Sequence, residues 1–196
     1  MMDLRKSLPW LRVAQDLLRD RRGIAATEFA VIVPLMLLMF FGMIEFSSGI
    51  AVSRKLTLVA RTLSDLASQA TSVSNTDLSN FTATGKAILT PYGSGPLKST
   101  ITELYVDPST LAARVQWSQG SSPRGVGTTV SIPSALQVGG SYLIFSEVSY
   151  LYVPTIGYVM AKTGVNLTDF AYTRPRQALC VIYPTPSGAM PSCPTS

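Results

Sequence analysis

Between Ile24 and Phe46 apolar side chains follow one another without a period: IAATEFAVIVPLMLLMFFGMIEF carries a carboxylate near each edge, Glu28 and Glu45, and no charge from Phe29 to Ile44. About 20 such residues make a helix long enough to cross roughly 30 Å of hydrocarbon. Beyond this run the pattern becomes a stripe. Val52, Leu56, Val59, Leu63, Leu66 and Ala70 recur at spacings of 4, 3, 4, 3 and 4, the signature of an amphipathic helix. Together the two patterns predict one long helix from Ile24 to about Ala70, apolar all round in its first half and one-sided in its second. The stripe fits packing against the chain's own globular part, or a seam with a second helix, which the lack of e/g charge pairing disfavours. Pro34 stands inside the apolar run and removes one helix hydrogen bond. Lipid-embedded helices tolerate this, and the proline is either a harmless kink or a soft point.

After the helix the period shortens. TSVSNTDLSN is polar and reads as turns, and FTATGKAILTPY reads as a short helix ending before Pro91. ITELYVD (Ile101 to Asp107) and LAARVQW (Leu111 to Trp117) are β-type runs joined at Asp107-Pro108-Ser109-Thr110, a hairpin signal. Gly120 to Gly127 reads as a loop, and Thr128 to Ile132 as a short strand. SYLIFSEVSYLYVP (Ser141 to Pro154), rich in aromatic and β-branched residues, predicts a central strand. VNLTDFAYTRPR (Val165 to Arg176) and ALCVIY (Ala178 to Tyr183) predict two more, and the proline-containing tail is irregular. The expected class is α+β, a long N-terminal helix packed on a small antiparallel sheet. The expected divisions are a leader at 1–23, a transmembrane helix at 24–46, its amphipathic extension at 47–72 and a folded domain at 73–196.

Composition narrows the chemistry. Of 196 residues 46% are apolar and 14% charged, and the mean hydropathy of +0.28 is high for a soluble domain. There is no histidine and there are two cysteines, which removes most donors for zinc, haem or imidazole-based catalysis. No cofactor is expected, nor an enzyme. Asp65, Glu103, Asp107, Glu147 and Asp169 are dispersed along the chain. The net charge of +5 is partly local: Arg5, Lys6, Arg12, Arg19, Arg21 and Arg22 precede the apolar run, against Asp3, Asp16 and Asp20. A basic segment abutting an apolar helix is an orientation signal, not a nucleic-acid site, and leaves residues 1–23 in the cytoplasm with residues 47–196 translocated.

The apolar run also fits a plain signal anchor, a core helix of a soluble protein, or a secretory signal cut near Ser47, Ser48 and Gly49. Glu28 singles out a more specific reading, because a carboxylate within the apolar edge of a membrane helix needs a partner. Were the chain cut after Gly23, the new ammonium of Ile24 and the carboxylate of Glu28 would stand one helical turn apart, each able to neutralise the other or a neighbouring copy.

The pattern Gly23-x-x-x-x-Glu28-Phe29 after a basic leader resembles the processing site of type IV prepilins. GIAATEFAVIVPLMLLMFFGMIEFSSG resembles a narrower group, the TadE-like (TadE, TadG) pilus assembly proteins of the tight-adherence system, through Gly23, Glu28, Phe29, Ala30, Pro34, Gly42 and Glu45. The resemblance implies a minor pilin or pseudopilin of the bacterial inner membrane, single-pass, with its C-terminal domain in the periplasm and incorporation into a surface pilus as one outcome. It implies cleavage between Gly23 and Ile24 by prepilin peptidase, a charge-neutralising role for Glu28, and other pilins, pseudopilins, the assembly platform and the bilayer as partners. Type IV prepilins usually place Phe or Met after the cut, where this chain has Ile24. The alternative is an uncleaved, anchored periplasmic scaffold or binding module.

Cys180 and Cys193 fall in the translocated part, where disulfides form, and type IV pilins commonly close a C-terminal loop in this way, so the pair is expected to be bonded. Arg174 and Arg176 either end a strand in solvent or hold an acid at a subunit interface. Asn80-Phe81-Thr82 and Asn166-Leu167-Thr168 have the form of glycosylation sequons, a triplet frequent by chance.

Overall fold

The computed structural model describes residues 23–154, 164–185, 187–188 and 192–194; the expected leader, up to residue 22, lies outside the described residues. Helix α1 runs Ile24–Ser68, and the chain divides into two compact units between Ile44 and Glu45.

In the second unit α1 buries Val52, Leu56, Val59, Ala60, Leu63, Ser64, Ala67 and Ser68. The expected stripe holds as far as Leu63. Ala67 then takes the place foreseen for Leu66, which is half-buried. Small side chains let the sheet approach the helix here: the Ser146 hydroxyl donates to the Ala60 carbonyl at 2.5 Å, and Ser64 hydrogen-bonds Thr173.

Helix α2 spans Asn75–Ile88, which corrects the expectation of turns followed by a helix from Phe81. The start lies in the polar TSVSNTDLSN stretch because Ser74 and Asp77 close a reciprocal capping box, satisfying amide groups that would otherwise lack partners. At the other end the Lys55 ammonium of α1 donates to the carbonyls of Ile88 and Thr90 at 2.9 and 2.7 Å. Gly85 lets α2 lie close on α1, since a Cβ there would stand 3.0 Å from Val59.

The strands are β1 (Leu97–Val106), β2 (Ala113–Gly120), β3 (Thr129–Val130), β4 (Tyr142–Tyr152) and β5 (Val165–Thr173). They form an antiparallel sheet in the order β3-β2-β1-β4-β5. The predicted hairpin closes as read: Asp107 accepts from the amides of Ser109 and Thr110 at 2.8 and 3.1 Å, and the Ser109 hydroxyl, followed by those amides, holds its carboxyl down at about 2. Gly120, at φ +137°, ends β2 where a Cβ would lie 2.2 Å from the Ser99 carbonyl oxygen, a position closed to any other residue.

One face of the sheet packs on α1 and α2 through Leu97, Ile101, Trp117, Ile144, Val148 and Tyr150. On β1, β2 and β4, Leu104, Val115, Leu143 and Phe145 form a second apolar cluster with Ile132, from the connection between β3 and β4. Residues 178–183, expected as a sixth strand, are irregular; only Ile182 makes an isolated parallel bridge, to Ser72. The main-chain N–H and carbonyl of Val181 find side-chain partners instead.

Candidate functional site

The first half of α1 is exposed on all sides. None of its most apolar 18-residue window is buried; Phe29, Val31 and Met43 are 69%, 75% and 70% accessible. Leaving a dozen large apolar side chains in water costs on the order of 20 kcal/mol or more, so this surface calls for lipid or for other apolar helices. Length and composition suit a single membrane crossing.

The candidate processing residues sit at its start. Gly23 is exposed, with nothing within 4 Å of a Cβ built on it, and Ile24 opens the helix at 50% exposure. The Thr27 hydroxyl donates to the Ile24 carbonyl at 2.8 Å, which satisfies that hydroxyl without lipid. Glu28, Phe29 and Ala30 are exposed on the following turn. Pro34 lies inside the helix, where it has no N–H to give to the carbonyl one turn earlier. Gly42 also has nothing within 4 Å of a built Cβ. Neither Gly23 nor Gly42 is therefore required by packing among the described residues.

Glu45 differs from Glu28. The Tyr152 hydroxyl at the end of β4 donates to the Glu45 carboxylate at 3.0 Å, and the ring packs beside Gly49, whose built Cβ would lie 3.6 Å from it. Burial, then this contact with Glu45, pushes the Tyr152 phenol up to about 12.

Cys180 and Cys193 are bonded, with Cα atoms 5.8 Å apart, and join Tyr142 and Ile182 in a third apolar cluster. Arg176 does hold an acid, within its own chain: its guanidinium meets Asp65 of α1 at 2.5 Å. Arg174 is exposed just past β5.

Two features escape a reading by segments. Arg124 grips Glu147 of β4 with two bonds of 2.6 and 2.8 Å and lies over the Phe145 ring, so this acid and this base are spent on each other. Glu103 of β1 is fully buried and accepts from the Val181 amide at 2.6 Å. Its signal was present, since alternation along ITELYVD places it in phase with Ile101 and Tyr105.

Residues 23–64 match the family model described as TadE-like protein. No curated protein and no solved structure matches the chain. The chain thus carries a TadE-like segment that begins at Gly23, takes in the apolar half of α1 and continues into the half that packs on the sheet.

Proposed function

We propose that this chain is a membrane-anchored pseudopilin or minor pilin that supports assembly of a tight-adherence pilus and is itself cut between Gly23 and Ile24 by prepilin peptidase. The observation that carries the reading is the uncovered apolar half-helix within the TadE-like segment. In this reading residues 1–23 are the leader, 24–46 cross the membrane, 47–72 extend the helix and 73–196 form a periplasmic domain. The basic leader stays inside. The role is structural, and the chemistry done at Gly23 belongs to the peptidase.

Two points of geometry support the processing step. Gly23 and Ile24 are exposed at the helix start, and among the described residues the glycine has no packing reason to be small. After cleavage the Ile24 ammonium and the Glu28 carboxylate lie one turn apart, in phase to pair with each other or across two subunits. In a low-dielectric setting, stranding one member of such a pair costs roughly 3–5 kcal/mol. Glu28→Ala therefore keeps membrane insertion and reduces co-purification with partner pilins by two or more orders of magnitude in affinity. Glu45→Ala is not a silent control for this test, because it removes the acceptor of Tyr152.

Mass spectrometry of the mature N-terminus tests the proposal. The expected product begins at Ile24, and Gly23→Trp leaves the leader attached. A mature terminus near Ser47 contradicts the reading. An intact leader in the wild type beside normal pili instead supports the anchored scaffold, which the presence of Ile24 where prepilins carry Phe or Met favours.

A further inference from the structure

Glu103 and Trp117 face each other across β1 and β2, next to a register shift between Glu103 and Leu104. Such bulges re-aim side chains, and here both side chains take hold of one residue of the C-terminal segment. The Val181 N–H donates to Glu103 Oε1 at 2.6 Å, and the Val181 carbonyl accepts from the Trp117 indole at 2.7 Å. The same segment is tied to the chain after α1 by Val73 N–H to the Ile182 carbonyl, 2.9 Å, and Ile182 N–H to the Thr71 carbonyl, 3.1 Å. The Tyr142 hydroxyl reaches the Pro194 carbonyl at 2.8 Å, beyond the disulfide.

A neutral glutamine would accept the Val181 amide equally well. A glutamate brings a second oxygen, and Oε2 is buried with no hydrogen-bond partner among the described residues. An ionised carboxylate placed there is a buried charge that no cation among the described residues balances, whereas a protonated one leaves at most an unsatisfied hydroxyl. We propose that the Glu103–Trp117 pincer on Val181 is a proton-dependent clamp: the C-terminal segment is seated while Glu103 is protonated and lifts when the carboxyl ionises and draws water.

The sign follows from linkage. Burial raises the Glu103 carboxyl from 4.5 to about 7, and the Val181 amide and the neighbouring Trp117 oppose that rise. A group that holds its proton more tightly when seated favours the seated state fully below its ordinary value, and that advantage is lost as pH climbs through about 7. With an ordinary carboxyl in the lifted state, the seating constant falls by roughly 80-fold between pH 5 and 9, nearly all of it below about 7. The titratable groups facing Glu103 are phenols. Tyr142 of β4 is itself raised by burial, then by Tyr105 and Glu103, so it stays neutral through this range. Asp65 of α1 and Arg176 are paired with each other.

The test is amide exchange of Val181 and Ile182 in the full chain in detergent, disulfide intact, corrected for the intrinsic pH dependence of exchange. Protection of these amides should fall by roughly 80-fold from pH 5 to 9, nearly all of it below about 7 and level above, relative to amides in the middle of β4, and Glu103→Gln should make the profile flat. Trp117→Phe, which removes the other jaw, should lower protection at every pH while the fall with rising pH persists. A flat wild-type profile, or the wild-type profile retained in Glu103→Gln, overturns the clamp. Should Glu103→Gln fail to fold, direct titration of the wild-type Glu103 carboxyl by NMR decides: ionisation near 7 supports it and ionisation near 4.5 overturns it.

Discussion

The two halves of α1 belong to one continuous helix, yet they are built for different surroundings. From Phe29 to Ile44 apolar side chains point in every direction and stay uncovered. From Val52 to Leu63 the apolar positions buried on the sheet alternate with Ser53, Arg54 and Arg61 on the open side. A helix that is apolar all round has a uniform apolar medium about it, whereas a striped one has water on one side and a core on the other. The amount of apolar surface and its distribution around the axis both separate these cases.

The same substitution in each half gives the largest contrast. Leu56, 1% exposed in the main core, should cost about 2–5 kcal/mol when replaced by alanine, read as a fall in the thermal unfolding midpoint of the sheet domain. Leu38→Ala should change that midpoint within about 0.5 kcal/mol, since Leu38 is 59% exposed and lies outside the core clusters. Equal losses from both would break the distinction.

The disulfide comes next. Cys180 and Cys193 close a loop of 13 residues, for which the chain-entropy account gives roughly 3 kcal/mol. Reduction, or Cys180→Ser with Cys193→Ser, should destabilise the sheet domain by about that amount and leave membrane association unaltered. Loss of membrane association on reduction would show that the two halves of the helix are not independent in the way described.

Most of this division was legible in the sequence because it rests on period. The uniform run, the stripe to Leu63, the Asp107 hairpin and the aromatic strand β4 are each specified by residues near one another. The misreadings occurred where the decisive partner was of an unusual kind or far away. α2 starts at Asn75 because Asp77 closes the capping box with Ser74, where the usual sequence signal has Glu or Gln. Residues 178–183 have strand-like side chains, but Glu103 and Trp117 take both main-chain groups of Val181, and no local pattern reveals a partner 78 residues away. The pairing of Tyr152 with Glu45 was hidden for the same reason. Of the candidate processing site, the motif residues could be named from the sequence, while the open space around Gly23 and Gly42 among the described residues depends on the fold.

A smaller effect tests the short helix against the long one. α2 has a side-chain cap at its start, and Ser74→Ala should cost about 1 kcal/mol of sheet-domain stability, seen in the same unfolding curve. α1 carries no acidic residue in its first turn, and Thr27→Ala, which removes only a hydroxyl bond back to Ile24, should leave that curve unmoved.

The most direct measurement is thiol labelling in intact membranes with a hydrophilic maleimide, using Leu38→Cys and Leu58→Cys made one at a time in the otherwise native chain. Both positions are more than half exposed, at 59% and 52%, and the native cysteines are bonded to each other, so accessibility to the chain's own atoms does not distinguish the two sites. The account predicts rapid labelling at residue 58 and protection at residue 38 that detergent removes. Labelling of residue 38 as fast as residue 58 before detergent is added would contradict it.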